Sequence, residues 1–381
     1  MFREGVGIMS VKVATIIQTI EKIAPKKLAY DWDNIGLLVG DPGAEIDKIL
    51  ITLDVTDQVV EEAIENGAGM IVSHHPLIFK PIKNILWDNP AGAILKKLIQ
   101  KEINVYAAHT NLDLCRNGVN QVLFECLGLE KKEILKVEVT EKLFKFVVFV
   151  PMSHVEQVRL SMGDVGAGWI GNYSHCSFGT HGIGSFKPLE GSNPYIGDSG
   201  GKIEEVEEMR LETIVSEKLL NKVIKAVITS HPYEEVAYDI YPLTNSGEEY
   251  GLGLVGVYTD PLSKNEFLQI LKERLQAPVL KVAGHLPEKI EKVGVCGGSG
   301  GTVIGRAAFK GAQVFVTGDV SYHQAQEAEN LGISVIDAGH GITEKLIVPI
   351  FASNLNTELQ MQKANVEIVV SKVSSEPWIF I

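Results

Sequence analysis

Cysteine is scarce in this chain, and so is positive charge. Four cysteines, Cys115, Cys126, Cys176 and Cys296, are spread over 381 residues with no pair at CxxC spacing. That argues against a disulfide frame and predicts reduced thiols in a cytoplasmic protein. Lysine and arginine number 35 against 48 acidic residues, a formal net charge of −13. The chain therefore lacks the basic footprint of a nucleic-acid binder. A local basic pocket for a phosphorylated ligand stays compatible with that total, because whole-chain charge says little about one cleft. Long apolar runs are missing as well. The longest, such as residues 146–150, are of strand length, against the roughly 20 residues that a membrane span needs. The opening MFREGVGIMS has no apolar stretch of signal-peptide length, and Met9 reads as an alternative start behind a frayed extension.

What remains is an ordinary globular composition, 45% hydrophobic and 22% charged. At this length it predicts two domains or three. From residue 11 to about 129 the pattern alternates helix and strand. Ile16, Ile17, Ile20 and Ile23 recur at helical spacing over residues 11–23. Residues 49–54 form a β-rich run, and 58–66 read as a helix closed by Gly67. Strands are expected at 70–73 and 104–108, with a helix over 91–100 between them. Alternation of this length implies βαβ units around a largely parallel sheet, an α/β fold. The same texture returns after about residue 250, with strands at 293–296, 314–317 and 334–337 and helices at 303–310 and 321–330.

The middle differs. A strand at 142–150, a helix at 155–162, a Gly-rich hairpin region at 168–185, a strand at 206–215, a helix at 218–228 and a strand at 235–242 give the order βαββαβ. That is ferredoxin-like, and it predicts a domain inserted at 141–243 between two halves of the α/β domain.

Three clusters carry chemistry, each just past a predicted strand, where α/β sheets place their ligands. In Ser73-His74-His75-Pro76 the chain leaves a strand and turns at Pro76, which can aim both imidazoles at one cavity. Alone, the pair reads equally well as one core and one exposed histidine. In His109-Thr110-Asn111-Leu112-Asp113 an imidazole and a carboxylate four residues apart share one face of a helical turn. Alone, a turn-capping Asp beside a backbone-satisfied His is the simpler account. His340-Gly341-Ile342-Thr343-Glu344 repeats the spacing, with Gly339 and Gly341 letting the backbone bend close. Together the clusters supply four imidazoles and two carboxylates. One ion in an open catalytic site needs three protein ligands, so six residues point to two ions about 3.5–4 Å apart. The mixed N/O set suits zinc first, with iron or manganese as alternatives.

SHHPLIF at 73–79, AAHTNLD at 107–113 and GHGITE at 339–344 resemble the Nif3-like dinuclear-metal family, whose members are also called GTP cyclohydrolase 1 type 2 homologs. TGDVSYHQAQEAENLG at 317–332 is similar too, and the resemblance covers roughly residues 10–130 and 250–375. It implies His74, His75, His109, Asp113, His340 and Glu344 as ligands of two divalent ions per subunit. It implies a toroidal homohexamer with its metal sites facing an internal cavity, and an inserted domain like the PII and CutA proteins. The activity implied is a metal-dependent hydrolase acting on a small molecule such as a nucleotide; for GTP, water would add at C8 of the purine. The rival is a non-catalytic regulatory protein whose PII-like domain senses a ligand or partner.

Other residues read less sharply. His323 is a candidate for proton transfer or a plain helix-surface histidine. Asp319 could orient a ligand imidazole, but capping a helix is the simpler role. Gly297-Gly298-Ser299-Gly300-Gly301 could cradle phosphate, yet without a P-loop Lys-Ser/Thr a tight turn is the better reading. Asp33 and Asn34 border either the site or a turn. His231-Pro232-Tyr233-Glu234-Glu235 is expected to serve turn and pairing, and the acidic run 204–208 to be a solvated face.

Overall fold

The computed structural model describes residues 10–379. The first nine residues, where the sequence suggests a frayed extension before Met9, lie outside them. The chain divides into two compact units: Met1–Val139 with Tyr250–Ile381, and Thr140–Glu249.

The first unit is built on two sheets rather than one. In the five-stranded sheet the spatial order is Glu367–Val370, Lys48–Thr52, Met70–Ser73, Asn104–Ala107 and Gly36–Val39. Its first four strands are parallel, and Gly36–Val39 closes the edge antiparallel to Asn104–Ala107. Every residue of Met70–Ser73 and Asn104–Ala107 is buried, as expected of parallel strands covered on both faces. In the six-stranded sheet the order is Lys281–Ala283, Ser334–Asp337, Val314–Gly318, Lys289–Ser299, Glu249–Ser263 and Glu130–Thr140. Its three central strands, Ser334–Asp337, Val314–Gly318 and Lys289–Ser299, are parallel, while Lys281–Ala283 and Glu249–Ser263 run antiparallel to their neighbours.

Local chemistry sets the helix ends. Thr56 caps Asp57–Asn66 by accepting from the Val59 amide, and Gly67 ends that helix with a left-handed φ of 67°. Asn89 caps Pro90–Gln100, whose proline sits in the first turn. Ser321 and Gln324 form a capping box on Tyr322–Asn330. The amphipathic helix Val13–Ile23 buries Ile16 and Ile20 in the same core as Phe351, Leu355 and Leu359 of Ile347–Met361. The four cysteines are free thiols. Among the described residues no helix is long and apolar enough to cross a membrane.

The second unit has the order strand Leu143–Pro151, helix Val155–Asp164, strands Ser177–Phe186 and Glu204–Ser216, helix Leu220–Ser230 and strand Tyr238–Pro242. Its antiparallel sheet places Tyr238–Pro242 beside Leu143–Pro151, then Glu204–Ser216, then Ser177–Phe186. The element order is thus β-α-β-β-α-β, and the Gly-rich region supplies one long strand. Both helices cover one face, where Val148, Leu211, Val158 and Val223 are buried together.

Candidate metal centre

The six residues singled out from the sequence converge at the carboxyl ends of the parallel strands, four from one sheet and two from the other. His74 and His75 follow Met70–Ser73, and His109 follows Asn104–Ala107. Asp113 lies in the short helix Thr110–Leu114, and His340–Glu344 forms another beyond Ser334–Asp337. The i,i+4 spacing puts both members of each pair on one side of a single helical turn. The His74 and His75 rings stand 4.9 Å apart, His75 and His109 5.6 Å, and His75 and His340 5.2 Å. The adjacent histidines of a strand end thus bring their rings into one cluster with His109.

Each imidazole is oriented through Nδ1. His74 donates to the Ala108 carbonyl at 2.9 Å, His75 to Asp54 at 2.7 Å, His109 to Asp33 at 2.8 Å and His340 to Asp319 at 2.7 Å. A carbonyl or a carboxylate can only accept, so Nδ1 carries the proton and the Nε2 lone pair is free to ligate. The carboxylates are themselves held. Asp33 accepts from the amide and hydroxyl of Thr110 at 3.0 and 2.5 Å, and Asp54 accepts from Ser375. Burial opposes ionisation of Asp33, but the hydrogen bonds from His109 and Thr110 win and lower its pKa to about 2.

The inward-facing atoms fit divalent metal. His74 Nε2 lies 3.6 Å from both Asp113 Oδ1 and Glu344 Oε1, while Glu344 Oε2 is 3.0 Å from His75 Nε2 and 3.2 Å from His340 Nε2. His74 Nε2 and Asp113 Oδ1 are buried without a hydrogen-bond partner, an arrangement that is costly unless something else satisfies them. Three overlapping triads could each hold an ion: His74, His75 and His109; His75, His340 and Glu344; His74, Asp113 and Glu344. Without metal the site keeps protons instead. Burial works against charging His75, yet its hydrogen bonds to Asp54 and Glu344 carry its pKa up to about 10. Glu344 raises His340 to about 9. Burial would also neutralise Glu344, but His74 and the other imidazoles hold its carboxyl well below the usual range.

Several of the less sharply read residues take definite places. Asp319 orients His340, whereas the helix cap is Ser321. Asp33 borders the site through His109 rather than a turn alone. The GGSGG segment is no phosphate cradle: the amides of Gly297, Gly298 and Gly300 donate to Asn120, Thr343 and Thr317. Gly298, at φ +62°, makes room for the carboxylate, since a Cβ there would lie 2.1 Å from Glu344 Oε1. Gly298→Ala is therefore expected to displace Glu344 and lower metal occupancy, measured by elemental analysis. His323 is not brought into the cluster; it is exposed in the first turn of Tyr322–Asn330, with its ring edge against Tyr322. Sequence patterning does not single out Asp54, although it too follows a parallel strand, as a carboxylate at the end of ILITLD. Nor does it single out Trp32 and Phe79, which are 60% and 46% exposed and each have a ring centroid 6.4 Å from that of His109.

The profile of the Duf34/NIF3 (NGG1p interacting factor 3) family matches residues 11–377. The chain belongs to this family. A GTP cyclohydrolase 1 type 2 homolog of Halalkalibacterium halodurans is 45% identical over 367 residues, 96% of this chain and 98% of the relative. Its Bacillus subtilis counterpart is 43% identical over 372 residues, 98% and 99% of the two chains. The crystal structure of a Bacillus cereus protein related to NIF3 matches with a TM-score of 0.92 at 45% identity, covering 98% of this chain and 100% of the other. This family membership agrees with the resemblance drawn from SHHPLIF, AAHTNLD and GHGITE.

Proposed function

We propose that this NIF3-family chain is a dinuclear metal-dependent hydrolase of the GTP cyclohydrolase type, with His74, His75, His109, Asp113, His340 and Glu344 as its ligands. The observation that carries the reading is the placement of Glu344. One of its oxygens faces His74, and the other faces both His75 and His340. On that placement Glu344 would offer an oxygen to each of two ions, one held also by His74, His109 and Asp113, the other by His75 and His340. Such a pair, zinc by preference and iron or manganese otherwise, would supply an acidified water and an electrophilic clamp on the substrate. The protein's own part is to fix the imidazole tautomers and to hold the substrate beside them.

A planar heterocycle is favoured over a phosphodiester or a peptide by the rings at the site. Trp32 stacks on Tyr30 at 5.4 Å and meets Phe79 edge-on at 6.0 Å, leaving an exposed aromatic corner next to His109. A purine stacked there would present its imidazole ring to the ligands; a first water adding at C8 would open that ring to an N-formyl group, and a second would cleave that group and release formate. A cleft of about 1120 Å³ adjoins His75 and His340, with Lys345 and Lys372 among its lining residues. Those cations suit a phosphorylated ligand despite the acidic chain. The unit Thr140–Glu249 is on this reading a PII/CutA-like insertion, and the assembly a toroidal homohexamer.

The test is turnover of GTP, phosphodiesters and short peptides by the metal-loaded chain, beside a His75→Ala/Glu344→Ala double variant. Formate release from GTP that vanishes in the variant supports the proposal. A fully loaded protein that turns over none of these favours a non-catalytic regulatory hexamer. Trp32→Ala should raise KM for GTP by roughly 5- to 150-fold if a base stacks there, on the scale of about 1–3 kcal/mol per stacked base. His323→Ala should leave metal content unchanged, so any loss of kcat with a shifted pH profile would isolate its role in proton transfer.

A further inference from the structure

The acidic run 204–208, expected to be a solvated face, contains one residue that is not solvated. Glu208 is only 8% exposed. In Glu204–Ser216, Met209 and Leu211 point to the side of the sheet covered by helices. Strand alternation sends Glu208 and Arg210 to the other side. There they help to line a cavity of about 710 Å³ within the Thr140–Glu249 unit, a volume inside the roughly 300–1,000 Å³ of small-molecule sites.

Two features of the neighbouring strand open that cavity. Gly182 pairs with Glu208 and Gly184 with Val206. A Cβ on Gly184 would fall 2.2 Å from Glu208 Oε2, so the glycine makes room for the carboxylate. The walls are aromatic. Tyr233 meets Phe186 at 5.9 Å and Tyr195 at 6.1 Å between ring centroids, with tilted planes. Tyr233 also fixes the carboxylate, its hydroxyl donating to Glu208 Oε1 at 2.9 Å.

No lysine, arginine or histidine forms an ion pair with Glu208 among the described residues. The nearby cationic groups are directed elsewhere: Arg210 pairs with Glu212 at 3.5 Å and His181 with Glu207 at 3.8 Å. Lys187, also at the lining, is exposed. Of the two further carboxylates at the wall, Glu235 is exposed and Glu234 is held by the Asn193 amide at 2.9 Å. A buried carboxylate without a cation is expensive, and three tilted rings beside it form the kind of enclosure that attracts an ammonium group through its π faces.

We infer that the cavity of the Thr140–Glu249 unit, bounded by Glu208, Tyr233, Tyr195 and Phe186, is a binding site for a small organic cation with an apolar body. The carboxylate neutralises the ammonium, the rings take its alkyl groups and the glycine-cleared sheet accepts the rest. This site is independent of the metal centre and of the hydrolase reading.

Isothermal titration of the metal-loaded full chain with benzyltrimethylammonium chloride tests it, with benzyl alcohol as the neutral comparison. The cation should bind at least about tenfold more tightly than the alcohol, a difference on the scale of one charge-assisted and cation–π contact. Glu208→Gln, and separately Tyr195→Ala, should each weaken it by about tenfold or more. Tyr195 is 51% exposed, so its removal leaves the fold intact if Glu208→Gln does not. His75→Ala should bind the cation as the unaltered chain does. Equal affinity for the alcohol, or undiminished binding by both cavity variants, would overturn the inference. So would a cavity sealed by a second copy of the chain, seen as no binding to the oligomer with binding regained on dissociation.

Discussion

Glu344→Gln is expected to lose its metal under conditions in which the unaltered chain is saturated. The side chain is nearly isosteric, so the change removes charge rather than volume. Both Glu344 oxygens face imidazole nitrogens at 3.0–3.6 Å, and the residue belongs to two of the three candidate triads. Its loss should therefore weaken metal more than loss of an outer partner does, an effect of roughly 10–100-fold. Asp54→Asn, which alters only the residue that orients His75, should fall within that smaller range. Ranking the two variants by titration against a competing chelator separates ligand from positioning residue. Equal affinities for both variants and the unaltered protein would remove Glu344 from the site. A second consequence can be read without metal. His340 owes its raised pKa first to Glu344, and His75 owes part of its own to the same carboxylate. In the metal-free Gln variant both imidazole titrations, followed by NMR, should move down toward the ordinary histidine value.

Metal affinity should rise steeply with pH, and metal-free stability should move the other way. In the metal-free protein His75 titrates at about 10 and His340 at about 9, both above the unfolded value near 6.5. Groups with raised folded pKa values contribute stability that is fully present below the unfolded pKa and is lost as pH climbs through the folded ones. The metal-free protein should accordingly lose part of its stability between about pH 6.5 and 10. Metal needs the same nitrogens deprotonated. At pH 7–8 each ion-induced proton release makes apparent affinity climb by about tenfold per pH unit, until the imidazoles titrate. Thermal melts with and without zinc should thus diverge as pH rises from 6.5 toward 9, since ligand stabilisation follows affinity. A metal-induced shift in Tm that is constant over that range would contradict the assignment of His75 and His340.

Much of the fold and the site is legible in the amino-acid sequence alone. The buried strands Met70–Ser73 and Ser334–Asp337 lie where the sequence predicts them, because short apolar runs flanked by turn residues have few alternatives. The six candidate ligands are legible because each follows such a strand. The partition of the α/β unit into two sheets is not. Two strands of the second sheet, Glu130–Thr140 at its edge and Glu249–Ser263 beside it, are long and in part exposed, and in EKKEILKVEVT the apolar alternation is confined to the second half. The orienting carboxylates are only half visible. Asp33, Asp54 and Asp319 lie 76, 21 and 21 residues from the histidines they hold, and no local pattern joins residues so far apart. Asp319 reads as a cap because a strand-to-helix turn usually needs one, and Ser321 fills that role two residues later. Glu208 reads as solvated because a run of glutamates carries no sign of which member faces inward. The β-pairing decides that.

The proposed centre is a pair of ions that would share the Glu344 carboxylate. Anomalous diffraction at the absorption edge of the bound metal, on crystals of the metal-loaded chain, addresses it directly. Two peaks should appear at the junction of the two sheets, about 3.5–4 Å apart, one beside His74, His109 and Asp113 and the other beside His75 and His340, with Glu344 between them. A single peak, or peaks away from these six residues, would contradict it.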